Sequence, residues 1–147
     1  MESTAAVQQP SPAQAAVLQM AMGAMVTKVM AEATRLGIPD LVKEHGPLSA
    51  GEMVITWGVD AVPDSLERVL RACASVHIFS EDTGGRFGPT ELSETLTASS
   101  PSSLKKMIEA MGGPWYKGWT ELGAAIRTGQ PQARNVFGAD WWDYLNA

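Results

Sequence analysis

Cysteine is almost missing from this chain: Cys73 is the only one in 147 residues, and histidine occurs only as His45 and His77. A single cysteine excludes an internal disulfide framework and any zinc site built from several cysteines. The two histidines lie far apart and outside Glu-x-x-His or His-x-x-x-His spacing, so neither marks a metal site. They read as surface or packing residues. Charge is also sparse, at 18% of residues, with 11 Lys+Arg against 16 Asp+Glu and a net charge of -5. That balance argues against a nucleic-acid binder, which would carry a basic face. No apolar run approaches the ~18 residues of a membrane span, and no signal-peptide pattern opens the chain, so the expected location is the cytoplasm. Phosphate or dinucleotide binding needs a glycine-rich turn joining a strand to a helix. Gly84-Gly85 and Gly112-Gly113 lie instead in an expected hairpin turn and between expected helices. Cys73 falls on the apolar face of an expected helix without a neighbouring base, as a small core residue would.

What the chain does have is a 45% hydrophobic share, eight methionines and five tryptophans. At roughly 100 to 200 residues per domain this bounds it at one domain with a real core. Residues 1–12 are small and polar with Pro10 and Pro12, and read as a loosely attached arm, leaving 13–147 as the ordered domain. Residues 13–36 lack proline and repeat Val17, Leu18, Met22, Met25 and Val29 at helical spacing. Met20, Val26 and Met30 fall on other faces, so this helix has to be buried on more than one side. In so short a chain, a second copy is a plausible cover. Met residues at helical spacing more often mark core or dimer interface than an adaptable ligand surface.

Gly37 ends the first helix, and Gly46-Pro47 ends a second over residues 39–45. Ser49 and Glu52 have capping-box spacing for a third, through residue 57, and Pro63 opens a fourth, to residue 77. A strand over 77–80, a turn at 81–85 and a return strand at 86–88 complete a helix-turn-helix followed by a hairpin. Residues 38–90 therefore read as a winged-helix-like core. The fourth helix carries Arg68 and Arg71 but also Asp64 and Glu67, and the hairpin tip is Glu81-Asp82, which opposes phosphate contacts. A short helical turn is expected over 90–96, then helices over 102–111, 115–128 and 139–145. Trp115, Tyr116, Trp119, Trp141 and Trp142 gather in this last stretch, and fit a pocket wall and a packing seam equally well.

Several strings together carry a resemblance: Leu36-Gly-Ile-Pro-Asp-Leu41, Gly46-Pro-Leu-Ser-Ala50, Leu66-Glu-Arg-Val-Leu-Arg-Ala72, Arg86-Phe-Gly-Pro-Thr90, Trp119-Thr-Glu-Leu122 and Phe137-Gly-Ala-Asp-Trp-Trp-Asp-Tyr-Leu145. Over residues 14–147 the chain resembles the N-terminal region of S-adenosylmethionine-dependent small-molecule O-methyltransferases of plant phenylpropanoid and bacterial polyketide pathways. The resemblance implies a mainly α, winged-helix-like dimerisation domain with a short β-hairpin wing and additional helices before and after it. It implies a homodimer, with Leu18, Met22, Met25 and Val29 as interface candidates, and an acceptor pocket to which Tyr116, Trp119 and Leu122 contribute. It also implies no nucleic-acid or membrane partner.

The family's cofactor domain and its histidine base have no matching motif here. The resemblance therefore assigns no catalytic, cofactor-binding or metal residue to this chain, which alone is expected to be inactive, with residues 102–147 leading toward an absent catalytic domain. S-adenosylmethionine is implied for the full-length family only. Two alternatives stand beside this reading: a free-standing winged-helix regulator or ligand-binding module, and one half of a split methyltransferase paired with a separate catalytic polypeptide.

Overall fold

The computed structural model describes residues 9–146. Helix α1 (Pro12–Arg35) starts where Ser11 Oγ accepts from Gln14 N–H at 3.3 Å and Gln14 Oε1 accepts from Ser11 N–H at 2.8 Å. This reciprocal capping box makes Ser11 the cap and draws Pro12 of the expected arm into the first helical position. Residues 1–8 of that arm lie outside the described residues. Gly37, at φ 75°, turns the chain out of α1 into α2 (Ile38–His45), as its lack of a Cβ allows.

Helices α3 (Ala50–Ile55) and α4 (Pro63–Ala74) follow, with the Ser49–Glu52 capping box in place. Strands β1 (Ser80–Glu81) and β2 (Phe87–Gly88) form an antiparallel pair in the register Ser80↔Gly88 and Glu81↔Phe87. Asp82 Oδ1 holds the turn by accepting from Gly84 N–H (2.8 Å) and Arg86 N–H (2.9 Å). Leu48 and Phe87 exchange backbone hydrogen bonds of 3.0 and 2.8 Å, which ties the α2–α3 link to the hairpin. Ile38, Val42, Met53, Leu70, Phe79 and Phe87 are fully buried between these elements and form the core.

Several boundaries differ from the sequence expectation. Helix α4 stops before His77, and β1 starts only at Ser80, because His77 N–H donates to Ala74 O (2.9 Å) and Ile78 N–H to Cys73 O (3.0 Å). This is a Schellman closure with His77, at φ 64°, in the left-handed position that glycine usually fills. Helix α3 ends at Ile55, short of the expected residue 57. Helix α6 (Lys105–Gly112) begins three residues later than expected. Leu104 N–H is taken by Thr95 O (2.8 Å), which holds residues 100–104 as turns against the end of α5 (Glu91–Glu94).

The second half of α1 packs on α6, α4 and α2, burying Ala31, Ala33 and Thr34. At the crossing with α6, a Cβ on Gly112 would sit 2.1 Å from Ala31 Cβ, so only glycine permits this approach. Asp40 bridges α2 to the start of α6 by accepting from Ala98 N–H and Lys105 Nζ, each at 2.8 Å.

After Gly113 the chain forms α7 (Pro114–Trp119), α8 (Leu122–Thr128), α9 (Ala133–Phe137) and α10 (Trp141–Asn146), none of which contains a fully buried residue. The single helix expected over 115–128 is two helices. Thr120 is the reason: its backbone N–H and its Oγ1 both donate to Lys117 O, at 3.2 and 2.7 Å, so the backbone tightens and stops. Helix α9 was not expected at all.

Candidate interface and aromatic groove

Helix α1 is about 36 Å long at 1.5 Å per residue, and its two halves differ. Every residue from 12 to 25 is exposed. Leu18, Met22 and Met25 recur at i, i+4 and i+7 on one face, with exposures of 56%, 52% and 59%, and Val17 and Met20 extend the apolar surface around the helix. Of the four interface candidates, Val29 alone is half-buried, packing against the chain's own core. A helical segment of this length is marginal in water without tertiary support. Among the described residues, none buries any position of this segment.

A groove of about 420 Å³ opens among α7, α8, α9 and α10. Trp115, Gly118, Trp119 and Leu122 line one side, at i, i+3, i+4 and i+7 across the α7–α8 break. Val136, Phe137 and Trp141 line the other. Phe137 lies 5.5 Å from Trp141 and 4.4 Å from Tyr144 between ring centroids, and Trp115 meets Trp141 edge-on at 6.5 Å. Such offset and edge-to-face pairs hold flat rings apart at a defined angle. The turn from α9 into α10 is closed by Arg134, whose guanidinium holds the Asp140 carboxyl below its ordinary range.

Of the three pocket candidates, Trp119 and Leu122 line this groove and Tyr116 does not. Tyr116 faces α1, where Lys28 Nζ lies 5.6 Å from its ring centroid. Trp115 and Trp141, which the sequence offers equally as pocket wall or packing seam, line the groove, and Phe137 was missed because its side of the groove depends on α9.

The remaining reactive side chains are occupied. Burial pushes the Cys73 thiol up to about 12, so it is neither nucleophile nor ligand. His45 stacks on Trp57 with centroids 3.7 Å apart, a packing role. Arg71 is held by Glu67 at 2.8 Å and Glu81 at 3.0 Å, while Arg86 donates to Pro47 O at 2.9 Å and pairs with Glu52 at 3.2 Å. Among the described residues, no cluster of His, Cys, Asp and Glu could hold a metal ion, and no helix is long and apolar enough to cross a membrane.

A helical domain with a small core and a long half-uncovered helix has the make-up of an assembly domain. The chain is a member of the O-methyltransferase dimerisation domain family, whose pattern matches residues 18–99. It is 33% identical over 134 residues to the phenazine O-methyltransferase PhzM of Lysobacter antibioticus, covering 91% of this chain and 38% of that protein. It is 31% identical to the O-demethylpuromycin-O-methyltransferase of Streptomyces alboniger, covering 91% and 35% respectively. The crystal structure of human N-acetylserotonin methyltransferase in complex with SAM superposes with a TM-score of 0.82 at 31% identity, covering 99% of this chain and 42% of that one. The chain therefore spans less than half the length of these relatives.

Proposed function

We propose that this chain pairs with a second copy through the uncovered half of α1 and supplies an apolar wall over a flat acceptor, as part of a cytoplasmic S-adenosylmethionine-dependent O-methyltransferase of secondary metabolism. The carrying observation is the Leu18–Met22–Met25 stripe, exposed on a helix whose other half is packed. The α2–α4 and hairpin core acts as a winged-helix-like scaffold without a nucleic-acid role. Its ion pairs at Arg71 and Arg86 and its acidic hairpin tip support that reading.

The groove suits ring-shaped acceptors of the kind named in the relatives, phenazines among them, through Trp119, Leu122, Trp115 and Phe137. It does not suit the cofactor. A nucleoside cofactor site of the doubly wound type needs a strand leading through a glycine-rich turn into a helix, whereas the strands among the described residues are the two of the hairpin. We assign cofactor binding and the proton-accepting base to a catalytic domain outside this chain, on the same or a separate polypeptide. Methyl transfer is an in-line displacement in which the acceptor oxygen bonds the methyl carbon as the carbon–sulfur bond breaks. A wall contributes by orienting that oxygen.

Size-exclusion chromatography with light scattering tests the pairing. Two chains per particle at tens of micromolar is the expected result, and a single-chain mass under the same conditions would count against it.

A further inference from the structure

Helices α7 to α10 contain no fully buried residue, so the groove wall that α7 carries is not placed by the core. Its position depends on the few contacts α7 makes elsewhere. On one side Phe137 lies against Gly118, where a Cβ would meet its ring at 3.8 Å. On the other side α7 is parted from α1 by a cleft of about 380 Å³ lined by Ala24, Tyr116, Trp119 and Thr120.

Beside that cleft, Lys28 links α1 to both α6 and α7. Lys28, on α1, donates from Nζ to Gly112 O at 2.6 Å and lies 5.6 Å from the centroid of the Tyr116 ring, with Glu32 Oε1 at 3.8 Å behind it. Gly112 O is one of the carbonyls left without an intrahelical donor at the end of α6, where the helix dipole also favours a cation. Neither glycine of the junction Gly112-Gly113-Pro114 can carry a side chain to brace it: a Cβ at Gly112 would strike Ala31, and one at Gly113 would lie 2.8 Å from Glu109 O. The ammonium therefore grips the end of α6 and a ring on the first turn of α7 at once.

We propose that Lys28 is a positioning residue for the groove: it sets the angle at which α7 leaves α6, and with it the spacing of Trp115 and Trp119 from Phe137 and Trp141. The proposal rests on the groove being a ligand wall. Lys28 touches no ligand itself, since Tyr116 stands between it and the groove side of α7.

Calorimetric titration of the full chain with 2-naphthol, a flat bicyclic phenol, tests this. Lys28→Met keeps most of the aliphatic stem and removes the ammonium, and is expected to weaken naphthol binding about tenfold. Lys28→Arg, which can still reach the carbonyl and the ring, is expected to bind within about threefold of the unsubstituted chain. Val42→Ala controls for a general loss of stability, since Val42 lies in the core away from α7. It should lower the melting temperature and leave naphthol affinity unchanged. Lys28→Met binding as tightly as the unsubstituted chain would overturn the proposal, as would Val42→Ala weakening binding to the same extent. Trp119→Ala separates the two levels: if it abolishes binding while Lys28→Met has no effect, the positioning role fails and the groove stands. If the unsubstituted chain does not bind naphthol, or Trp119→Ala binds equally well, both fail.

Discussion

Replacing Gly112 with alanine should loosen the α1–α6 crossing that carries the rest of the C-terminal half. The added Cβ would lie 2.1 Å from Ala31 Cβ and 3.3 Å from Thr27 O. Aliphatic carbons rest at about 3.5–4.0 Å, so the overlap is on the order of 1.5 Å. Neither Cβ can rotate away, because both are fixed to helix backbones, and the helices must separate. Overpacking of this kind costs about 1–3 kcal/mol, against a helix-propensity gain of at most about 1 kcal/mol for alanine over glycine. A net loss of about 1–2 kcal/mol corresponds to a fall of roughly 3–8 °C in melting temperature for a domain of this size. Urea denaturation followed by circular dichroism at 222 nm measures it. Ala31→Gly removes the opposing methyl and costs about 1 kcal/mol alone. Combined with Gly112→Ala it should recover at least about 1 kcal/mol relative to the sum of the single changes, incompletely because Thr27 O remains. Gly112→Ala within about 0.5 kcal/mol of the unsubstituted chain, or strict additivity in the double variant, would refute the reasoning.

Three further outcomes follow from the core and its ties. Cys73 is fully buried with its thiol pushed up to about 12, so Ellman's reagent at neutral pH should find no reactive thiol in the folded chain and one per chain in urea. Burial works to raise the Asp40 carboxyl, but hydrogen bonds from Lys105 and Ala98 outweigh it and hold the group below its ordinary 3.8. Its contribution is present above the unfolded value and is lost as pH falls through the lowered folded value. The melting-temperature advantage over Asp40→Asn should therefore be full near neutrality and shrink as pH drops below 3.8; an advantage that is constant with pH would contradict it. Phe87 is fully buried and its backbone pairs with both Leu48 and Glu81, so Phe87→Ala should cost about 3–5 kcal/mol in urea denaturation.

Local chemistry made much of the fold legible. Gly37 at the end of α1, the Ser49–Glu52 capping box and Pro63 at the start of α4 each act within a few residues, and each appears where the sequence places it. Two of the boundaries that moved, at the end of α4 and the start of α6, are set by an unusual backbone and by a partner outside the helix. His77 closes α4 in a glycine-like conformation, and Thr95 takes the N–H that would have started α6 early. The groove divides the same way. Trp119 and Leu122 are offered by the family resemblance and Trp141 by its place among the clustered aromatics, but Phe137 reaches the groove on α9, a five-residue helix too short to leave a period. Tyr116 matched the family's pocket position by alignment and nevertheless faces Lys28 on α1, since adjacent residues on a helix point in different directions.

Amide hydrogen exchange across residues 17–25 tests most directly whether a second copy covers the first half of α1. Among the described residues every position of this segment is exposed in a single chain. At concentrations where two chains associate, these amides should be strongly protected, and dilution or the pair of substitutions Met22→Glu and Met25→Glu should abolish the protection while leaving the amides of α4 unchanged. Exchange of residues 17–25 at the rate of a free peptide at every concentration, or protection that survives both dilution and the two glutamates, would contradict pairing through this face.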